Sequence, residues 1–261
     1  MPSKIYKISD AIENRFIDIK SYKREQPVSD VYLDIDKVSN DMIDFGLNNG
    51  ISPEVNGRLN QIYYYLKNMN LDDVHIAAIM GNIRQESGYN VDPWSNTERL
   101  LNKEYESNKY LDQHTGEEII TFDMSRASDE QYKAESTKNL LESHAVPLYG
   151  GIGLIQWTGG IWDEESKKWI PAKSGADRKA NFLNWCNSKN LEWYEMDTQL
   201  EYIFKEYNSW SLKSDFESIN NVNDAAKFFC DYYEQPYDDT APLRIEYASE
   251  FLNIFNNNLT S

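Results

Sequence analysis

Apolar residues recur at helical spacing between positions 71 and 90, where the sequence reads LDDVHIAAIMGNIRQESGYN. Ile76, Ile79 and Ile83 lie on one face of the predicted helix, and small residues on its other faces allow close packing. Glu86 comes one heptad after Ile79, so its carboxyl group lies at the end of the apolar stripe. Partial removal from water would favour the protonated acid that general acid catalysis requires. When this stretch is considered alone, Glu86 is more often expected to be an ordinary exposed residue at a helix end than a catalytic acid.

Polar capping residues mark the starts of further helices. Ser52-Pro53-Glu54 combines a capping hydroxyl, a proline in the first turn and an acidic residue. Capping boxes occur at 128–131 and at 198–201. The predicted helix starts are therefore at Ser52, at Asp72 or Asp73, at Ser128, at Thr198 and at Asn223, and a last helix is predicted over 243–255. These patterns favour a mainly helical fold.

The stretch over 111–122, LDQHTGEEIITF, departs from helical spacing. His114-Thr115-Gly116 has the composition of a turn, and the residues from Ile119 to Phe122 are typical of a strand. This stretch therefore predicts a small β-hairpin between helices.

A glycine-rich stretch over 149–160, YGGIGLIQWTGG, has more unusual chemistry. Glycine permits positive φ angles and a close approach of a ligand to the main chain. The amide of Gln156 can donate and accept hydrogen bonds, which suits sugar hydroxyl and acetamido groups. Trp157 offers a flat face for stacking. A tight turn with Trp157 in the core is the alternative, and the sequence leaves both interpretations open.

The amino-acid composition excludes several classes of function. The chain of 261 residues has 43 acidic and 26 basic residues and a formal net charge of −17. This charge argues against a nucleic-acid-binding protein and against electrostatic steering towards an anionic polymer. Cys186 and Cys230 are predicted to be buried free thiols, although a disulfide is not excluded by the sequence. The three histidines have no zinc-binding spacing, so we predict no metal site and no cofactor.

Targeting signals are not recognisable in the sequence. The first sixteen residues lack the apolar region of a secretory signal. No apolar run approaches the roughly 18 residues that a transmembrane helix needs. We therefore expect no membrane span and synthesis in the cytoplasm, with export only by other machinery.

Four segments occur in fixed order along the chain: GNIRQESGYN (81–90), GIGLIQWTGG (151–160), EMDTQLEYIF (195–204) and FFCDYYEQP (228–236). Together they resemble the phage tail lysozyme family, whose members degrade peptidoglycan. The resemblance covers roughly residues 55–250. It implies a mainly α, lysozyme-like α+β domain with a small β-hairpin, over residues 51–261, with an enlarged insertion at 91–149. Residues 1–50 lie outside the match and are predicted to be an N-terminal arm or attachment segment.

The resemblance also implies site residues. Glu86 corresponds to the catalytic acid, and Gly153, Gln156 and Trp157 fall in the segment that lines the sugar groove. Tyr233 belongs to a YExP motif and is predicted to face the groove. Tyr89, which lies in the first matched segment, is likewise predicted to bind substrate. The second catalytic carboxylate stays open between Asp92, Asp123 and Asp163.

The implied function is cleavage of the glycosidic bond between amino sugars of the bacterial cell wall. A muramidase-type hydrolase is the first hypothesis, and a lytic transglycosylase on the same fold is the second. The third is a structural tail or wall-binding module without catalysis. The implied partners are bacterial peptidoglycan and phage tail proteins. We expect the chain to be made in the host cytoplasm, to reside in the tail of the virion and to act on the host cell wall.

Overall fold

The computed structural model describes residues 42–46, 50–94, 109–121, 145–147, 150–159, 161–163, 168–170, 177–236 and 240–258. At 109, 118–121, 161–163, 168–170 and 258 it describes the backbone alone. The described fold is mainly helical with small antiparallel hairpins, and the predicted lysozyme-like α+β class is confirmed.

The described helices and strands follow in chain order. The helices are α1 (Pro53–Asn68), α2 (Asp73–Ser87), α3 (Arg178–Lys189), α4 (Met196–Ser209), α5 (Lys213–Glu217), α6 (Val222–Phe229), a π-helix (Cys230–Glu234) and α7 (Ala241–Asn258). The strands are β1 (Lys109–Asp112), β2 (Glu118–Thr121), β3 (Ala145–Pro147), β4 (Gly151–Ile152), β5 (Trp157–Thr158), β6 (Ile161–Asp163) and β7 (Lys168–Ile170).

The starts of α1 and α2 are as predicted. Ser52 caps α1 and its hydroxyl accepts a hydrogen bond from the Val55 N–H at 3.2 Å. Asp72, the first of the two predicted candidates, caps α2, because its carboxylate accepts a hydrogen bond from the His75 N–H at 3.0 Å. Gly88, which follows the end of α2, has a φ of 79° that suits glycine.

Two predicted helix starts are wrong, by three residues for α4 and by two for α6. α4 begins at Met196, directly after Glu195, rather than after a Thr198 cap. Thr198 lies inside the first turn, buried, and its hydroxyl has no hydrogen-bond partner among the described residues. α6 begins after Asn221, whose side chain accepts from the Asp224 N–H, rather than at Asn223. The helix predicted from Ser128 lies outside the described residues.

In the described part of the chain, three small antiparallel sheets accompany the helices. β1 pairs with β2 on one side, which confirms the predicted hairpin, and with β3 on the other. Phe122, the last residue of the predicted hairpin, lies outside the described residues. β4 pairs with β5, and β6 pairs with β7.

The chain divides into two compact units. The first unit comprises residues 1–85, 89–91 and 203–261, and the second comprises residues 86–88 and 92–202. In the first unit, the predicted apolar face of α2 is buried, with Ile76, Ile79 and Ile83 at most 1% exposed. This burial confirms the helical spacing on which the prediction rested.

α2 and α7 meet through their main chains in the first unit. A Cβ atom at Gly81 would lie 2.7 Å from both the Ala248 nitrogen and the Arg244 carbonyl oxygen, both on α7. Next to this contact the buried Arg244 Nη1 donates to Asn82 Oδ1 at 3.0 Å. Asn82 Nδ2 in turn donates to the Ala226 carbonyl oxygen on α6 at 3.2 Å. The glycine and the polar pair together join three helices.

Residues before the predicted domain start at 51 already pack on α1. Ile43 exchanges two hydrogen bonds of 2.9 Å with the Asn60 side chain, and the Phe45 N–H donates to Asn56 Oδ1 at 2.8 Å. The Phe45 ring lies edge-on to Phe251 and Phe255 on α7. Residues 42–46 are therefore an integral part of the first unit.

The two cysteines are buried free thiols, as predicted. Burial, with smaller contributions from Glu192 and Glu201, raises the pKa of the Cys186 thiol well above its usual range. Among the described helices, none has the length and apolar character of a membrane span.

We predict that Gly81→Ala destabilises the protein by about 1–3 kcal/mol, because the added Cβ forces the main chains of α2 and α7 apart. In an ordinary helix interior the same change would stabilise the protein by about 1 kcal/mol. The sign of the change in the free energy of unfolding therefore tests the close contact between α2 and α7. Urea denaturation measures the effect. Ala248→Gly in the same background should not restore stability, because the closest contacts at Gly81 are with main-chain atoms. Equal or greater stability of Gly81→Ala would contradict the close contact.

Candidate functional site

Glu86 lies in the last turn of α2 and its side chain is half-buried. The helix that carries it is fixed at its other end by Asp72, whose Oδ1 atom lies 2.6 Å from His75 Nδ1. Burial opposes ionisation of Asp72, but the hydrogen bonds from His75 outweigh it and lower the pKa of this carboxyl. A charged carboxylate at a helix N-terminus also interacts favourably with the helix dipole. Glu86 is thus carried by a well-capped, buried helix.

The glycine-rich segment is a short hairpin in the second unit, which also contains Glu86. Gly151 pairs with Thr158 and Ile152 with Trp157, and residues 153–156 form the turn. Ile152, Leu154 and Ile155 are at most 2% exposed. Within 150–159, only Gln156, Thr158 and Gly159 are partly exposed. The apolar side chains therefore anchor the hairpin, which we call the 150–159 loop.

Gln156 has a left-handed backbone with a φ of 49°, which is uncommon for residues other than glycine. Its Nε2 atom donates to the Gly153 carbonyl oxygen at 2.8 Å, and its own main-chain N–H donates to the same oxygen at 3.2 Å. Strained backbone of this kind is often found at functional sites. Gln156 is thus a partly exposed side chain held in a defined conformation, and its role in binding sugar stays a prediction.

Trp157 is fully buried in the second unit. Its ring stacks on Phe182 of α3, with centroids 4.1 Å apart, and contacts the edge of Tyr202 on α4. A ring enclosed in this way has no face for a sugar in this conformation. Of the two interpretations of Trp157, the structure supports the core position rather than substrate stacking.

Gly153 has a φ of 78°, and a Cβ atom there would lie 2.6 Å from Gln199 Oε1 and 2.9 Å from Trp157 Cζ3. Glycine is required at this turn both by its backbone and by these neighbours. Gln199 itself is fully buried and accepts a hydrogen bond from the Leu154 N–H at 2.7 Å. In the sequence, Gln199 is marked only by its place in the predicted capping box at 198–201. The glycine-rich segment and EMDTQLEYIF, which both carried the resemblance, contact each other here.

The structure describes the three candidates for a second catalytic carboxylate to different extents. Asp92 lies in the second unit, half-buried, and its Oδ1 atom accepts a hydrogen bond from the Trp94 N–H at 2.9 Å. Asp163 ends β6, where only the backbone is described. Asp123 lies outside the described residues. Asp92 is therefore the one candidate with a described side chain.

The two predicted tyrosines belong to the first unit. Tyr89 is 53% exposed, and the Arg84 guanidinium lies 5.0 Å from its ring centroid. Tyr233 is only 8% exposed, because its ring stacks on Phe229 and its hydroxyl donates to Glu206 Oε2 at 3.2 Å. The solvent-facing ring next to this motif is Tyr232, which is 49% exposed. A groove-facing role therefore fits the exposure of Tyr89 and not that of Tyr233.

The described part of the chain contains no cluster of three or more His, Cys, Asp or Glu side chains that could hold an ion.

A comparison with protein families gives a match to the model named Phage tail lysozyme over residues 58–255, which is more than half of the chain. The chain belongs to the phage tail lysozyme family. This match confirms the resemblance, and the chain is a phage-associated, lysozyme-like domain. The matched range includes Glu86, the 150–159 loop and Tyr233.

We predict different effects for two neighbouring residues of the 150–159 loop. Trp157→Ala should destabilise the protein by about 3–5 kcal/mol, because it empties a packed aromatic site. Gln156→Ala removes one side-chain hydrogen bond from a partly exposed turn and should cost about 0.5–1.5 kcal/mol. Chemical denaturation measures both effects, and binding of a soluble glycan fragment is measured on the folded proteins. A small loss of stability for Trp157→Ala with a large loss of binding would show that the ring contacts substrate.

Proposed function

We propose that this chain cleaves the glycosidic bond between amino sugars of bacterial peptidoglycan, with Glu86 as the general acid. The observation that carries the proposal is the position of Glu86, half-buried at the end of a capped and buried helix, within a segment that matches the family. Glycoside cleavage needs a proton for the leaving oxygen, and a carboxylic acid in a partly desolvated position can supply it.

The proposal for the reacting centre uses residues of the second unit alone. Glu86 protonates the leaving oxygen, and the partly exposed Gln156 amide hydrogen-bonds the sugar. Asp92 is the proposed carboxylate for stabilising or attacking the oxocarbenium-like centre, or for activating water. Its engagement with the Trp94 N–H fixes the orientation of the carboxylate.

A lytic transglycosylase is the alternative on the same residues. There Glu86 first protonates the leaving oxygen, and the 6-hydroxyl oxygen of the substrate then bonds to the anomeric carbon while its proton passes to Glu86 and restores the acid. The product is a 1,6-anhydro sugar that is lighter by one water than the hydrolysis product. In that reaction Asp92 has no nucleophilic role, so Asp92→Asn should retain most activity.

We predict that Glu86→Gln lowers the rate of peptidoglycan cleavage at least ~100-fold, because the amide keeps the shape of the side chain and cannot deliver a proton. The rate is measured by release of soluble glycan fragments from purified peptidoglycan, and mass spectrometry of those fragments distinguishes hydrolysis from anhydro products. Thermal melting should be nearly unchanged.

Glu246→Gln on α7 provides the control for the Glu86 experiment, since Glu246 is an exposed helical glutamate. It should retain wild-type activity. If Glu86→Gln cleaves peptidoglycan as fast as this control, Glu86 is not the acid. If wild type releases no fragments but binds the insoluble wall, the third hypothesis, a non-catalytic wall-binding module, is supported instead.

We further propose that the chain is carried in the phage tail. With 43 acidic and 26 basic residues, free diffusion to an anionic wall is electrostatically unfavourable. Attachment to a tail would present the enzyme to the wall at high effective concentration. Of the predicted arm at 1–50, the part that precedes the packed 42–46 segment is the proposed attachment segment.

We predict that mass spectrometry of purified virions detects this chain together with the structural tail proteins. A truncated chain that begins at Met42 keeps the packed 42–46 segment and should be absent from particles while still folding. Absence of the full-length chain from particles, with release only at host lysis, would contradict the proposed tail location.

A further inference from the structure

Gln199 is a fully buried glutamine whose amide group binds three separate parts of the main chain. Oε1 accepts a hydrogen bond from the Leu154 N–H at 2.7 Å. Nε2 donates to the Trp193 carbonyl oxygen at 2.9 Å and to the Pro93 carbonyl oxygen at 2.5 Å. A reversed amide would place an oxygen against two carbonyl oxygens, so the partners themselves fix its orientation.

Two of the three partners of Gln199, Leu154 and Pro93, lie in segments that the candidate site uses. Leu154 is in the 150–159 loop, two residues before Gln156. Pro93 follows Asp92 and comes seven residues after Glu86. All of these residues belong to the second unit. One buried side chain therefore sets the distance between the segment that follows Glu86 and the loop that carries Gln156.

The 150–159 loop is shaped to fit this amide. A Cβ atom at Gly153 would come within 2.6 Å of Gln199 Oε1, so the loop could not approach it with any other residue at that position. The Leu154 side chain is fully buried. Leu154 is thus held both by the hydrogen bond from its main-chain N–H to Gln199 and by the burial of its apolar side chain.

We propose that Gln199 is a positioning residue for the proposed reaction: it holds the 150–159 loop and the 92–94 segment in register so that Gln156 and Asp92 meet the same sugar. This proposal rests on the proposed function for its catalytic readout. Gln199 is fully buried and acts only through the main chain of its partners, so it touches no substrate. Tight positioning of this kind is where small displacements produce large losses of rate.

Gln113 provides a matched control in the same unit. It is also buried, and its amide also makes three hydrogen bonds. Oε1 accepts from the Trp193 N–H at 3.1 Å, and Nε2 donates to the Leu191 carbonyl oxygen at 2.8 Å and to Asn187 Oδ1 at 3.0 Å. Gln113 therefore binds the main-chain N–H of Trp193, whereas Gln199 binds the Trp193 carbonyl oxygen. The three hydrogen bonds of the Gln113 amide do not include Leu154 or Pro93.

The test compares Gln199→Ala with Gln113→Ala. Each change removes three hydrogen bonds of a buried amide, so both should lower the melting temperature by similar amounts. Hydrogen exchange followed by mass spectrometry should show faster exchange in peptides covering 150–159 for Gln199→Ala only. At a temperature where both variants are folded, Gln199→Ala should lower kcat for glycan release about 100-fold, and Gln113→Ala by less than about threefold.

A second variant covers the case in which Gln199→Ala does not fold. Gln199→Glu keeps the size and the acceptor for Leu154, but loses both donors. It should therefore disturb the 92–94 segment more than the 150–159 loop in the exchange experiment and still lower kcat. Wild-type exchange and kcat in a folded Gln199 variant, or an equal loss of kcat in Gln113→Ala, would overturn the proposal. If wild type itself releases no glycan, the proposed function fails, whereas the exchange data still decide whether Gln199 holds the loop.

Discussion

The main-chain contact between α2 and α7 at Gly81 is the constraint on which the arrangement of the first unit depends. Two helices that touch without intervening side chains have little freedom to slide, because any shift separates close-packed main-chain atoms. The buried hydrogen bonds of Asn82 to Arg244 and Ala226 add a directional requirement to this packing. The axis of α2, whose last turn carries Glu86, is thereby set.

The 150–159 loop, the candidate functional segment of the second unit, is fixed by other means. Its 150–159 loop is too short for a hydrophobic core of its own, so apolar anchors such as Leu154 and Trp157 hold it from inside. Buried glutamine amides satisfy main-chain groups that the short strands leave unpaired, which avoids the large cost of burying them without partners. Gln156 is left as a partly exposed side chain on a rigid support, as expected for a ligand-binding position.

Sequence reasoning predicted those features that depend on local pattern. The spacing of Ile76, Ile79 and Ile83 defined α2, and the turn composition around Gly116 defined the β1–β2 hairpin. It failed where distant contacts decide: Trp157 is in the core because Phe182 and Tyr202 enclose it, and Tyr233 is buried because Phe229 and Glu206 bind it. Gln199 was missed because a helical glutamine has no distinctive local signal. The requirement for glycine at 153 was the available sign that something lies close to that turn.

The two buried cysteines have a consequence for how this protein's motions can be observed. Cys186 belongs to the second unit and Cys230 to the first, and the chain contains no other cysteine. A buried thiol reacts with a labelling reagent only when the structure around it opens. The unmodified chain therefore carries one chemical reporter in each unit. The labelling rate of Cys230 measures local opening in the first unit, and that of Cys186 measures local opening in the second unit, which contains the 150–159 loop.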